Sequence, residues 1–388
     1  MLIKSIKLKN FLSFAGDGEE IQLGALNVII GPNGSGKSNF LESFELLRNV
    51  PGDLARTIRE GGGVGELRWK GVVQPADSLA LMVVAEVKFS ELRYGLVFDE
   101  SEHQFVVRGE VLEDAKLVAG NDKLRSYYDF GRLGCPPMLA AGGVGQALKF
   151  EDVDFQKSIL AQRRDPVLYP QLTALADAFS EIRLYRDWSF GRRTAPRMPQ
   201  RADMPNDMLE PDAGNLGLVL NRLRREPDAK ARLLEALRKL YDGIEDFDVR
   251  IEGGTVQVFF QEGRNIIPAT RLSDGTLRYL CLLAILCHPK PPPLVCVEEP
   301  ELGLHPDIMP TLADLLKEAS ARCQLVVTTH SDILVDALSD TPESVLVCER
   351  GDGGTTLRHL DPEKLKPWLE EYRLGDLWTR GDIGGVRW

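Results

Sequence analysis

The chain has 388 residues, 43% of them hydrophobic and 27% charged, which is enough for two or three domains with sizeable cores. Its 47 basic and 58 acidic residues give a net charge of −11, so any contact with nucleic acid must come from a local basic patch. The longest apolar run, Tyr279 to Cys287, is nine residues, well short of the roughly 18 that a membrane span requires. Residues 1–23 are studded with lysines and acids and lack the apolar centre of a signal peptide. The six cysteines form no CxxC pair and mostly sit inside apolar runs. They read as small buried hydrophobes in a reducing cytoplasm.

In chain order, Ile3, Ile6 and Leu8 alternate with lysines, and Leu26–Ile30 is a short apolar run ending at Gly31. Both predict strands. Phe40, Leu41, Phe44 and Leu47 recur at helical spacing over Ser38–Asn49. Leu79–Phe89, Tyr94–Phe98 and Phe105–Leu112 predict an antiparallel meander. From Glu113 to Tyr241 the pattern becomes helical, at Phe155–Ala161, Leu172–Phe179, Leu216–Leu223 and Ala229–Tyr241, with a glycine-rich loop at Ala140–Gly145. Arg183–Pro211 shows no period and predicts a long functional loop. Phe247–Ile251 and Val256–Phe260 flank Gly253-Gly254 as a hairpin. An amphipathic helix (Thr276–Cys287), a strand (Leu294–Val297), a helix (Ile308–Ala321) and a strand (Leu325–Thr329) then alternate in the parallel α/β manner. A final hairpin is expected at Val345–Cys348 and Leu357–Leu360.

Two stretches carry chemistry. Gly31-Pro32-Asn33-Gly34-Ser35-Gly36-Lys37-Ser38 fits GxxxxGK[ST] between a strand and a helix. Its glycines let successive backbone N–H groups curl around phosphate oxygens at a helix N-terminus. Lys37 would reach the β- and γ-phosphates of ATP, and the Ser38 hydroxyl would hold Mg²⁺. The second stretch, Leu294–Glu301, is an apolar strand ending in acids at a sheet edge, where doubly wound folds place ligands. Glu298 would hold Mg²⁺ through water and Glu299 would act as general base toward the attacking water.

Together these residues resemble an ATPase of the ABC class, in the branch of RecF-type, OLD-type and structural-maintenance-of-chromosomes heads. Leu272-Ser273-Asp274-Gly275-Thr276 resembles the branch's signature motif, Leu302–Pro306 its D-loop, and Thr328-Thr329-His330-Ser331 its switch-histidine strand. The resemblance implies that Ser273 and Gly275 face ATP bound to a second subunit, and that His330 senses the γ-phosphate. His330 as a satisfied core histidine is the plainer alternative. Lys9-Asn10-Phe11 resembles the stretch that contacts adenine, and Asn33–Asn39 the phosphate-binding run. Gln162 resembles the Q-loop glutamine that senses Mg²⁺, with a surface helix glutamine as the equal alternative. Glu298 stands where the branch more often has aspartate, and Asp274 where transporter signatures have glycine.

The implied plan is an α/β, P-loop ABC-type ATPase head with an antiparallel β lobe and a mostly helical insertion. Residues 1–112 would form its N-terminal half, 113–245 the insertion, and 246–388 the C-terminal half and tail. Arg183–Arg201 interleaves six arginines with Tyr185, Trp188 and Phe190. Such a stretch could grip DNA, dock a protein, or bridge to the chain's own carboxylates. OLD-type relatives carry a nuclease after the ATPase, whereas 58 residues follow His330 here, so a separate nuclease or toxin subunit is expected. The resemblance thus implies a cytoplasmic homodimer sandwiching ATP and Mg²⁺, acting on DNA in repair or phage defence. The alternative is an ATP-dependent regulator of a protein effector without DNA contact. A transporter subunit is disfavoured by the LSDGT and EEPE runs.

Overall fold

Alternation of buried Ile3, Ile6 and Leu8 with half-buried lysines makes β1 (Ile3–Lys9). The computed structural model describes all residues except 1–2, 17, 72–82, 90, 118–123, 132–134, 142–143 and 387–388. The chain divides into two compact units: Met1–Ile182 with Leu346–His359 and Gly384–Trp388, and Arg183–Val345 with Leu360–Ile383.

In the first unit, β1 is followed by β2 (Glu20–Gln22), β3 (Leu26–Ile30), β4 (Val83–Phe89), β5 (Leu92–Ser101), β6 (Gln104–Asp114), β7 (Ser126–Phe130), β8 (Met138–Ala141) and β9 (Val144–Ala147). All but β3 form one antiparallel sheet, in the order β2-β1-β4-β5-β6-β7-β8-β9. The meander therefore runs on through β7, β8 and β9, where the sequence reads as the start of a helical insertion. Strands of four or five residues show too few repeats to reveal a period; of the expected loop at Ala140–Gly145, residues 140–141 and 144–145 pair in β8 and β9, and 142–143 lie outside the described residues. Of the expected strand Leu79–Phe89, residues 79–82 lie outside the described residues.

Helix α1 (Lys37–Asn49) buries Phe40, Leu41, Phe44 and Leu47, as its spacing predicts. Phe14 and Phe44 both pack on Phe40, with ring centroids 6.2 and 5.3 Å away. Among the described residues this part also holds α2 (Leu54–Glu60), α3 (Val64–Leu67), α4 (Ile159–Gln162) and α5 (Pro170–Ser180). All five residues of β3 are buried, which delivers the loop after Ile30 from the core.

The second unit holds β10 (Arg183–Tyr185), β11 (Gln200–Arg201), α6 (Leu216–Leu223), α7 (Pro227–Leu240), β12 (Asp246–Glu252), β13 (Thr255–Glu262), β14 (Asn265–Pro268), α8 (Asp274–Leu286), β15 (Leu294–Glu298), α9 (Met309–Ser320), β16 (Gln324–Thr328) and α10 (Asp332–Asp336). Strands β10, β15 and β16 run parallel, so Glu298 and Thr328 end side by side. Helix α8, expected to be amphipathic, is buried on every face from Leu277 to Leu286. Gly253 and Gly254 turn the β12–β13 hairpin with φ of +56° and +76°.

The chain then returns to the first unit as the hairpin β17 (Val345–Gly351) and β18 (Gly354–His359), with β17 beside β3. It ends in α11 (Pro362–Leu369) and α12 (Leu374–Thr379). Trp378 is buried there, and the Gly375 amide donates to Asp336 on α10 at 2.6 Å, so this part of the tail docks on its own unit. Trp388 lies outside the described residues. Among the described residues no helix is long and apolar enough to cross a membrane.

Candidate functional site

In the first unit, the loop between β3 and α1 has the shape that its glycines permit. Gly31, Gly34 and Gly36 adopt φ of +151°, +79° and +115°. A Cβ on Gly31 would lie 2.2 Å from the Cys348 carbonyl oxygen, and one on Gly36 would lie 2.3 Å from Thr355 Oγ1 and 2.7 Å from Ser13 Oγ. The Thr355 hydroxyl donates to the Ser35 carbonyl at 2.7 Å, which ties the loop to β18. No side chain caps the start of α1, so its N-terminal dipole opens onto the loop. Lys37 is buried and folds over its own loop, donating to the carbonyls of Gly31 (2.7 Å) and Pro32 (3.1 Å). Asn33, Gly34 and Ser38 are exposed, and Asn39 is half-buried. A glycine cradle with an ammonium laid over it fits the phosphates of a nucleotide, and the Ser38 hydroxyl is a hard oxygen donor of the kind Mg²⁺ takes.

Two neighbouring expectations look different in the folded chain. Asn10 and Phe11 are buried, at 4% and 1% exposure, and Phe11 pairs by backbone with Phe14. Phe11 therefore offers no open face to a base, and Lys9 and Leu12 are the half-buried side chains of that turn. The Gln162 amide is turned onto its own loop: Oε1 accepts from the Asp154 amide, and Nε2 donates to the carbonyls of Asp154 and Lys157. Its donors and acceptor are used within nine residues of chain, which is not the extended posture of a metal ligand.

The second unit gathers the acids and His330. Glu298 closes β15, and its Oε2 accepts from Arg186 Nε at 2.9 Å. Glu299 follows at φ +45°, a left-handed position that costs a non-glycine residue about 1–3 kcal/mol. Its Oε1 lies 3.4 Å from His330 Nε2, so the structure brings these two candidates together. The His330 amide donates to Glu301 Oε1 at 2.7 Å, and burial pushes the Glu301 carboxyl above its ordinary range.

Ser273 caps α8, accepting from the Thr276 amide at 3.1 Å. A Cβ on Gly275 would come within 2.5 Å of the Gly303 carbonyl, so the signature turn and the D-loop touch backbone to backbone. Around them opens a cleft of about 700 Å³, lined by Tyr241, Arg271, Ser273, Gly275, Gly303 and His305 among others.

Three arginines complete this unit's site. Arg186 holds Glu298. Arg197 is buried, pairs with Asp274 and donates to the carbonyls of Thr270 and Leu272. Arg278 donates to the Glu299 carbonyl at 3.0 Å and lies over the rings of Trp188 and Phe190. The aromatic residues of the arginine-rich stretch thus pack on one another and on Arg278, and Trp188 Nε1 donates to the Pro211 carbonyl at 2.9 Å. Arg192 and Arg193 remain exposed. The motif pattern does not point to Arg278, whose only trace in the sequence is a charge beside an apolar run; Glu301 stands in the acidic run that ends Leu294–Glu301 but is given no role of its own there.

Residues 1–89, with the phosphate loop, match the family described as "AAA ATPase domain". Residues 166–336, with the signature, the acids and His330, match "AAA domain, putative AbiEii toxin, Type IV TA system". The chain carries AAA-family ATPase domains. Over 71 residues the chain is 38% identical to the chromosome partition protein Smc of Clostridium kluyveri (strain NBRC 12016), a stretch that is 18% of this chain and 6% of that protein. The chain therefore matches a small fraction of that relative's length. The crystal structure of an SmcHead bound to the C-winged helix domain of ScpA superposes with a TM-score of 0.54 at 16% identity, over 95% of this chain and 100% of that one. An Smc head domain with an extended coiled coil, bound to the C-terminal domain of ScpA derived from Pyrococcus furiosus, gives 0.53 at 15%, over 95% and 99%. The AAA-family chain thus has the ABC-type fold of an Smc head.

Proposed function

We propose that the chain is an ATP-binding and hydrolysing head that closes on a second copy and works as a switch in DNA repair or phage defence. The observation that carries the hydrolysis reading is the Glu299–His330 pair, 3.4 Å apart at the ends of two adjacent parallel strands. In this reading Lys37 and the amides of residues 34–38 bind the phosphates. Glu299 takes the proton of the attacking water, and His330 faces the charge developing on the γ-phosphate. Ser38 and Glu298 each offer the hard oxygen that Mg²⁺ takes, and the metal would neutralise phosphate charge. Ser273 and Gly275, at the rim of the open cleft, would meet nucleotide held by the second copy.

For the target, a protein effector is the better supported reading. Tyr185, Trp188 and Phe190 are engaged with one another, while Arg186, Arg197 and Arg201 pair with acids of this chain. Little of that stretch remains to stack on bases. The Smc heads bound to ScpA domains support a protein partner, and in this reading the partner is a separate nuclease or toxin subunit.

Glu299→Gln should bind ATP yet hydrolyse it at least ~10²-fold more slowly, the usual cost of losing a positioned base. It should accumulate as an ATP-bound dimer in size-exclusion chromatography with light scattering, whereas Lys37→Ala should fail to bind. Near-wild-type turnover by Glu299→Gln would refute the assignment. Turnover strongly stimulated by DNA would move the target from protein to DNA.

A further inference from the structure

The backbone of Glu299 does not hold its left-handed shape unaided. Its amide donates to the Thr328 carbonyl at 3.0 Å, and its own carbonyl accepts from the Leu302 amide at 3.2 Å and from Arg278 Nη1 at 3.0 Å. Arg278 stands in the second turn of α8 and is 8% exposed. Its guanidinium carbon lies 5.7 Å from the Trp188 ring centroid and 5.5 Å from that of Phe190. Those two rings meet edge to face, 5.9 Å apart at 83°. The second arm, Nη2, points to the Trp188 carbonyl at 3.4 Å.

Burying a cation is expensive, and a leucine or methionine would fill the same space between two rings without that cost. What an apolar side chain could not do is donate to the Glu299 carbonyl. A planar guanidinium can lie against two rings while donating from its edge, whereas an ammonium offers only a point charge on a flexible stem. The clamp therefore orients the donor, and the donor holds the peptide that carries the carboxylate.

We propose that Arg278, clamped by Trp188 and Phe190, is a positioning residue that holds the Glu299 peptide so that its carboxylate faces His330. The proposal rests on the reading of Glu299 as general base, and the experiment separates the two. Arg278→Gln, Arg278→Lys, Glu299→Gln and the Arg278→Gln/Glu299→Gln double variant are compared for kcat, for ATP affinity and for thermal stability. Arg278→Gln should lower kcat by about 10–10²-fold, the cost of a misplacement of up to ~1 Å, with ATP affinity within about twofold. Arg278→Lys should recover part of that loss. The double variant should be no slower than Glu299→Gln alone, because both changes remove one function.

A wild-type kcat in Arg278→Gln, beside an inactive Glu299→Gln, would overturn the proposal and leave the base assignment standing. A parallel fall of kcat and ATP affinity would also overturn it, since that is the mark of a general structural role. An active Glu299→Gln would instead remove the base assignment itself. Should Arg278→Gln not fold, Phe190→Leu takes its place. That variant loosens the clamp and should slow kcat about 3–10-fold at unchanged ATP affinity, a fraction of the full misplacement cost. An unchanged kcat in Phe190→Leu would count against the clamp.

Discussion

In the phosphate loop, the left-handed positions are taken by Gly31, Gly34 and Gly36; in the turn after β15, the left-handed position is taken by Glu299. On the proposed function, the loop needs only backbone amides, so each of these positions can dispense with a side chain. On the same reading the turn needs a carboxylate, so it cannot use glycine and is held by other atoms: the Thr328 carbonyl on one side and the Arg278 guanidinium on the other. Where chemistry resides in the backbone, shape comes from the local residue. Where chemistry resides in a side chain, shape is imposed from elsewhere in the unit.

The largest effect is expected where glycine is irreplaceable. At Gly31 an alanine Cβ would lie 2.2 Å from the Cys348 carbonyl oxygen, a backbone atom that cannot step aside. Gly31→Ala should destabilise the protein by about 3 kcal/mol or more, as overpacking combines with a disallowed φ. It should also abolish nucleotide binding. Gly34 supplies the control, because a Cβ there meets nothing within 4 Å. Gly34→Ala should cost only the left-handed conformation, about 1–2 kcal/mol. Chemical denaturation and nucleotide titration of both variants would decide, and equal losses would sink the distinction between packing and φ.

The same contrast explains what could be read in advance. The GxxxxGK[ST] spacing, the helical spacing of Phe40, Leu41, Phe44 and Leu47, and the Gly253-Gly254 hairpin are local patterns, and each corresponds to an observed element. Strands β7 to β9 were not legible, because four or five residues hold only about two repeats of the strand period, whereas the helix expected at Phe155–Ala161 is present but confined to Ile159–Gln162. The arginines were not legible for a different reason. Arg186 finds Glu298 at a separation of 112 residues, and Arg197 finds Asp274 at 77. A charged side chain in the sequence does not announce its partner, so a stretch that looks made for phosphates can prove to be internal scaffolding.

That scaffolding can be broken at an intermediate cost. Arg197→Ala would leave the Thr270 and Leu272 carbonyls without their guanidinium donor beside the signature turn. The expected loss is about 1–3 kcal/mol, in the range for buried groups deprived of a charged partner. Replacing Arg192 and Arg193 together by alanine should stay within about 0.5 kcal/mol of wild type, because both are exposed. If the stretch reaches DNA at all, it is the second variant that should reduce the salt slope of binding, by about 0.7–0.9 per lost phosphate contact. Thermal melts of the two variants, with DNA titrations at several salt concentrations, test both statements. A destabilised Arg192/Arg193 variant would return the stretch to the unexplained.

The third kind of latch is a carboxylate, and its strength should be graded by pH. Glu110 on β6 is 3% exposed and accepts from the Tyr94 hydroxyl at 2.7 Å, from the Ser158 hydroxyl and from the Ile159 amide at 2.8 Å. It thereby clips the start of α4 to the sheet. Burial pushes its pKa up to about 7, while the three donors pull the other way. In the unfolded chain the group has an ordinary value of 4.5. Between those values the folded state keeps a proton that the unfolded state releases. The contribution is therefore complete below about 4.5, declines as pH rises toward about 7, and is flat above. Glu110→Gln mimics the protonated acid at every pH, so it should match wild type near pH 4.5 and gain on it up to pH 7. Melting temperatures of the pair across this range would show a difference that grows by about 2–4 °C for each kcal/mol. A difference that stays constant with pH would mean that Glu110 does not carry its proton into the fold.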